Sequence, residues 1–234
     1  MDGTCSIVDG VLTGYKALFS LRAPGNSCLS ALKSKRMGTT DDPINDSKGC
    51  GGVMRIAPVG LAFSDTEKAF HIGCQCSAIT HGHPTGYLPA GFLAAVISEI
   101  IAGGSLKDAI GESIRILKHK NNYQETMNLI ESAIIMADKR NPSPEVIEEI
   151  GAGWIAEEAL GIGLYCSLVA DNDFKKGVLL SVNHSGDSDS TGSITGNILG
   201  ALYGIELIPD FWIEKLELKD LIEEIAEDLF NQFN

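Results

Sequence analysis

Apolar residues recur at three- and four-residue spacing along most of this chain, and the alternation that a half-buried strand needs is almost absent. That pattern confines the chain to helices packed on helices. The first periodic stretch is 5–20, with Ile7, Val8, Val11, Leu12, Ala17 and Leu18. From Arg22 to Asn45 the period is lost and Gly, Pro, Ser, Asn and Asp gather, which predicts a long surface loop. A short helix is expected around 53–63, after the glycine-rich turn at 49–52. Ser64-Asp65-Thr66-Glu67 then opens a helix in capping style that runs to about His81. Pro84 suits the first turn of the next helix, which carries Leu88, Phe92, Ala95, Val96 and Ile100 before Gly103-Gly104. Further helices are expected at 105–119, 123–139, 144–150, 154–170, 173–183, 190–203 and 217–232. There is no internal repeat and no low-complexity tract. The expected fold is all-α, one compact multi-helix domain over residues 1–234.

With 234 residues the chain can bury a substantial core, and its scarcity of aromatics (6%) beside abundant Ala and Gly suits helices that approach closely. The formal net charge of −13 argues against a nucleic-acid partner, since a basic face supplies most of that affinity. Met1-Asp2-Gly3 lacks a basic n-region and no apolar stretch is expected to reach membrane-spanning length, so neither a signal peptide nor a membrane partner is predicted. Cys5, Cys28, Cys50, Cys74, Cys76 and Cys166 show no CxxC spacing. Free thiols in a reducing cytoplasm are expected.

Four stretches stand out chemically. In His184-Ser185-Gly186-Asp187-Ser188-Asp189-Ser190-Thr191-Gly192, two carboxylates lie two residues apart among hydroxyls and glycines. Oxygen-only ligands of this kind suit Mg²⁺, Mn²⁺ or Ca²⁺ and not zinc or copper. The competing reading is that Asp187 and Asp189 cap the helix that follows. By contrast, Asp171-Asn172-Asp173 lacks the glycine and glutamate of a calcium loop and reads as a turn.

Lys48-Gly49-Cys50-Gly51-Gly52-Val53-Met54-Arg55 leads into a helix, and its amides can face an anion. It lacks the Walker A ending, and tight helix packing explains the glycines equally well. In Thr80-His81-Gly82-His83-Pro84-Thr85-Gly86-Tyr87 the two histidines have no third zinc ligand at suitable spacing. A hydrogen bond from one imidazole to a ligand phosphate or ribose is the functional reading, and a histidine satisfied by backbone is the alternative. In Gly151-Ala152-Gly153-Trp154-Ile155-Ala156-Glu157-Glu158 the indole either floors a sugar pocket or anchors a helix start in the core, and the acids read as first-turn residues favoured by the dipole.

In this order the four motifs resemble the ADP-ribosylglycohydrolase family, and Gly196-Asn197-Ile198-Leu199-Gly200-Ala201-Leu202-Tyr203-Gly204 continues the likeness. The resemblance covers about residues 1–232. It implies an all-α fold and a hydrolase that uses two Mg²⁺ or Mn²⁺ ions to cleave the glycosidic bond between ADP-ribose and a protein side chain. Matched residue by residue, Asp187 and Asp189 become catalytic metal ligands and Ser190 a third oxygen ligand. Gly49, Cys50, Gly51 and Gly52 approach the pyrophosphate through backbone amides. His81 contacts the ADP-ribose, and Gly153 and Trp154 lie near its distal ribose. The Asp187–Ser190 and His83–Tyr87 runs are similar to arginine-type members, so the expected substrate is an ADP-ribosylated protein, modified at arginine.

The chain departs from the family at its start. The resemblance implies a preceding segment of roughly a hundred residues, within the size range of a domain, that carries a Ser/Thr-Asp-Asp-Thr motif. Here Thr40-Asp41-Asp42-Pro43 is the nearest match, displaced and broken at Pro43. The expectation is therefore an N-terminally truncated member that self-associates or needs a partner supplying the missing helices. A catalytically impaired ADP-ribose-binding module and a structural, crystallin-like member are the two alternatives to an enzyme.

Overall fold

A computed structural model describes residues 11–139 and 141–233. Among these, the chain forms α1 (Asn26–Lys33), α2 (Ala57–Ala62), α3 (Thr66–Ala78), α4 (Pro84–Ile101), α5 (Leu106–Leu117), α6 (Gln124–Lys139), α7 (Pro144–Ile150), α8 (Ala156–Leu168), α9 (Phe174–Val182), α10 (Ser188–Tyr203), α11 (Asp210–Glu214) and α12 (Lys219–Phe233). No strand occurs among the described residues, so the all-α expectation holds.

The helices are arranged around α4. It starts with Pro84 in its first turn, and His83 at the N-cap accepts the Thr85 N–H through Nδ1 at 3.0 Å. Leu88, Phe92, Leu93, Val96 and Ile97 are all buried, and α2, α3, α5, α8 and α10 pack against this helix. α3 and α4 come close at Gly91, where a Cβ would stand 2.7 Å from the Phe70 carbonyl oxygen. With 18 residues and a mean hydropathy of 1.3, α4 is long and apolar enough to cross a membrane, which corrects the sequence expectation. The other helices bury 78% of it, as befits a core helix.

Local signals explain most boundaries. Asp65 caps α3 by accepting the Lys68 N–H at 3.0 Å, and Ser105 and Asp173 cap α5 and α9 in the same way. Asp171 and Asn172 adopt left-handed backbone in the turn before α9, as their reading as a turn requires.

Three expectations are corrected. The stretch 22–45 is not all loop, because α1 forms within it; α1 buries only Ala31, too little apolar surface to leave a periodic signal. The helix expected at 5–20 lies partly outside the described residues, and its described part forms two short 3-10 turns, Val11–Gly14 and Lys16–Phe19. The helix expected around 53–63 is broken into a 3-10 turn, Val53–Arg55, and α2, with Ile56 between them and Pro58 in the first turn of α2. Proline supplies no amide there, which suits a new start.

Candidate active site

Two loops and one helix start meet at the site. An isolated antiparallel bridge pairs Gly49 with Ile155. It is extended by Cys50 N–H to the Trp154 carbonyl at 3.2 Å and Ala156 N–H to the Lys48 carbonyl at 2.8 Å. The next residues back, Ala152 and Gly153, contact the third element: the Ala152 carbonyl accepts the Asp187 N–H at 2.8 Å. Gly186 passes so close to Ala152 that a side chain would collide with its backbone. Gly153 takes φ +78°, with Thr191 Cγ2 2.9 Å from where its Cβ would be, which accounts for glycine at this position.

Asp187 stands at the N-cap of α10, is buried, and makes no side-chain cap bond. Its Oδ2 accepts the Cys50 thiol at 2.9 Å instead. Ser190, also buried, lies 3.4 Å from Cys50 Sγ and donates to Met54 Sδ at 3.3 Å. Asp187, Ser190 and Cys50 are thus brought together, while Asp189 is exposed one residue before Ser190. Burial alone would raise the Asp187 pKa. The hydrogen bonds it accepts, led by the Cys50 thiol, hold it below the usual carboxylate value. Asp189 is pushed up, chiefly by the neighbouring Asp187 carboxylate. The Cys50 thiol rises to about 12 from burial and its bond to Asp187, so it stays a protonated donor.

Two neighbouring carboxylates and a hydroxyl are hard donors, and the mutual repulsion of the pair is what a bound dication would relieve, so the set fits Mg²⁺ or Mn²⁺ in kind. In number it is only part of a shell: among the described residues no group of three His, Cys, Asp or Glu comes together. Thr40-Asp41-Asp42 supplies no further part of it. Thr40 accepts from Gln75, Asp42 pairs with Arg36, and Asp41 lines a separate cavity with His71 and Lys120.

The glycine loop differs from expectation in detail. The Gly49 amide donates to Ser47 Oγ and that of Cys50 to the Trp154 carbonyl, so both are already engaged, and Gly52 is buried against Ser77. The following 3-10 turn has three residues, too short to add a sizeable dipole. His81 lies beneath the loop, with its ring 3.1–3.3 Å from where Cβ atoms on Gly49 and Gly51 would sit. Arg55 Nη2 donates to Thr80 Oγ1 at 2.8 Å, and Thr80 Oγ1 pairs with His81 Nδ1 at 2.8 Å. Burial and the nearby Arg55 lower the His81 pKa to about 4, so the ring is neutral at neutral pH. His83 is spent as the α4 cap, which removes the zinc reading of the pair. Trp154 is 61% exposed, so it is not a core anchor and its ring is available to a ligand.

Several residues at the site were not singled out from sequence. His184 Nδ1 accepts the Gly186 N–H at 3.1 Å and its Nε2 reaches Thr191 Oγ1 at 3.0 Å, which folds the loop before α10. Glu158 accepts the Ala152 and Gly153 amides, each at 3.0 Å. Glu125 ties Lys48, at 2.5 Å, to Thr85 Oγ1, at 2.7 Å. The only sequence trace of Glu158 was its place among first-turn acids.

A sequence model of the ADP-ribosylglycohydrolase family matches residues 6–234. Among curated proteins, the chain is 24% identical over 215 residues to human "ADP-ribosylhydrolase ARH3", covering 80% of this chain and 59% of that protein. It is 27% identical over 199 residues to the "ADP-ribosyl-[dinitrogen reductase] glycohydrolase" of Rhodospirillum rubrum, covering 83% and 60%. It is also 27% identical over 186 residues to "ADP-ribosylarginine hydrolase Tri1" of Serratia proteamaculans, covering 79% and 47%. The chain therefore spans 60% or less of the length of these relatives. A solved structure titled "ADP-ribosylglycohydrolase-related protein complex" superposes with a TM-score of 0.70 at 23% identity, over 90% of this chain and 70% of that one, and so shares the fold. The family match runs through all four motifs that meet around Asp187 and Cys50, and this chain belongs to the ADP-ribosylglycohydrolase family.

Proposed function

We propose that the site binds the ADP-ribose of a modified protein and that the chain carries part of the centre of a Mg²⁺- or Mn²⁺-dependent hydrolase acting on ADP-ribosylated arginine. The observation that carries this reading is the meeting of Asp187 and Ser190 with the glycine loop at Cys50, 2.9–3.4 Å apart although 137 or more residues separate them in sequence. Asp187, Asp189 and Ser190 would hold the cation, which when bound supplies Lewis-acid polarisation of sugar oxygens. The Gly49–Gly52 loop lies along the pyrophosphate, the neutral His81 supports that loop, and Gly153 and the exposed Trp154 flank the distal ribose. The name of the Serratia relative favours arginine as the modified side chain. A reducing, cytoplasmic setting belongs to the same proposal and fits the five described cysteines, all free thiols. So does self-association through exposed apolar side chains.

The test is release of ADP-ribose from an arginine-modified protein in the presence of Mg²⁺. Release should be abolished by EDTA and cut at least about a hundredfold in Asp187→Ala, the loss expected when a group acting on transition-state charge is removed. Activity that survives both treatments would overturn the mechanism. A second reading, binding without turnover, is favoured by the incomplete set of metal donors among the described residues. Calorimetry would then register ADP-ribose binding while the release assay stays silent.

A further inference from the structure

The Gly151–Trp154 loop joins the two halves of the site. Its Trp154 carbonyl holds Cys50 and its Ala152 carbonyl holds the backbone of Asp187. The loop is in turn gripped from behind by a single oxygen, Glu158 Oε2, which accepts two consecutive amides from the first turn of α8. The geometry points to Glu158 as a positioning residue that sets Asp187 against Cys50 through the Ala152 peptide. This rests on the reading of Asp187 as a cation ligand.

The physical case is short. Two amides converging on one carboxylate oxygen are charge-assisted bonds, stronger than neutral ones. Gly186 lies against the Ala152 backbone on the far side, so the peptide is held on both faces. Gly153, in left-handed backbone, has little intrinsic preference for that conformation and depends on such a grip. With Glu158 removed, the turn at 152–153 loses both of its side-chain bonds and the Asp187 N–H loses a fixed acceptor. Asp187 then keeps its chemistry and loses its place.

The experiment uses the full chain as Glu158→Ala and Glu158→Gln. Amide hydrogen exchange is read in the metal-free protein, and Mn²⁺ binding is titrated by electron paramagnetic resonance. Glu158→Ala should speed exchange at residues 152, 153 and 187 while amides in α4 stay protected. It should weaken Mn²⁺ binding about tenfold or more, the usual cost of losing a group that orients a ligand. Glu158→Gln keeps an accepting oxygen, so it should restore both readouts most of the way. Glu158→Asp, which retains the charge but withdraws the oxygen by one methylene, replaces the alanine variant should that fail to fold.

The proposal is overturned if the alanine or aspartate variant leaves exchange at 187 and Mn²⁺ affinity at wild-type levels. It is equally overturned if glutamine is as damaging as alanine. Failure of the wild-type chain to bind Mn²⁺ would strike the cation reading instead, and hydrogen exchange alone would then decide the role of Glu158.

Discussion

Glu157 is 5% exposed, and its Oε2 has no hydrogen-bond partner among the described residues. Burial raises its pKa from 4.5 to about 7, against the opposing pull of a backbone hydrogen bond and Lys48. Because the folded-state value exceeds the unfolded one, the folded protein holds this proton more tightly. The resulting stabilisation is complete below pH 4.5 and is gone above about pH 7. His81 acts in the opposite sense, since its lowered pKa makes acid destabilising between 6.5 and about 4. Glu157→Gln should therefore flatten the fall in Tm between about pH 5 and 7. It should raise stability at pH 8 by roughly 1–2 kcal/mol, after discounting for the solvent that reaches the carboxylate. Thermal melts of the two proteins across pH would show parallel curves if Glu157 does not titrate. At this scale the candidate residues were legible by type, and the structure brings two of them, Asp187 and Ser190, against the glycine loop at Cys50. The sequence did not show what orients them. The grip of Glu158 on two amides and the fold of His184 back onto Gly186 depend on loop backbone that no periodicity encodes.

Helices with a wide buried face were legible, and those without one were not. α4, α8 and α10 each present apolar residues to the core and were placed to within a few residues of their ends. α1 buries one residue and was missed, and the chain around Ile56 reads as one helix only because its apolar residues continue across the break. Caps were the most reliable boundary signal. Asp65 takes β-region backbone and bonds to Lys68 N–H, satisfying one of the free amides at the start of α3. Asp65→Ala should cost about 1 kcal/mol, equivalent to a Tm lower by roughly 2–4 °C in a domain of this size. Asp65→Ser should recover most of that loss. Calorimetry on the three proteins tests it, and an unchanged alanine variant would show that α3 is held by its packing on α4 alone.

The whole molecule is unevenly buried. Around α4 the apolar core is continuous, whereas α12 has no buried residue and is attached by peripheral contacts. Phe233 meets Phe63 edge-on at 5.6 Å, Tyr15 donates to Glu224, and Arg22 forms a two-pronged pair with Glu217 at 2.5 and 2.6 Å. Between these contacts large apolar side chains face outward, with Phe19 71% and Leu21 79% exposed. Burying such groups between molecules is worth about 1.5–3 kcal/mol each, and exposed pairs of this kind favour association. Opposing it is a net charge of −13, carried by every copy. The two effects respond differently to salt: the reach of charge repulsion falls from about 10 Å at about 0.1 M to about 3 Å at about 1 M, while the apolar contact is not screened. The chain should therefore self-associate at high protein concentration, and more strongly at roughly 0.5 M salt than at 0.05 M. A Phe19→Ser, Leu21→Ser double variant should move the distribution back toward monomer without lowering Tm, since neither side chain is part of the core. Light scattering that finds a clean monomer at every concentration and salt level would show that these side chains are solvated singly and carry no association.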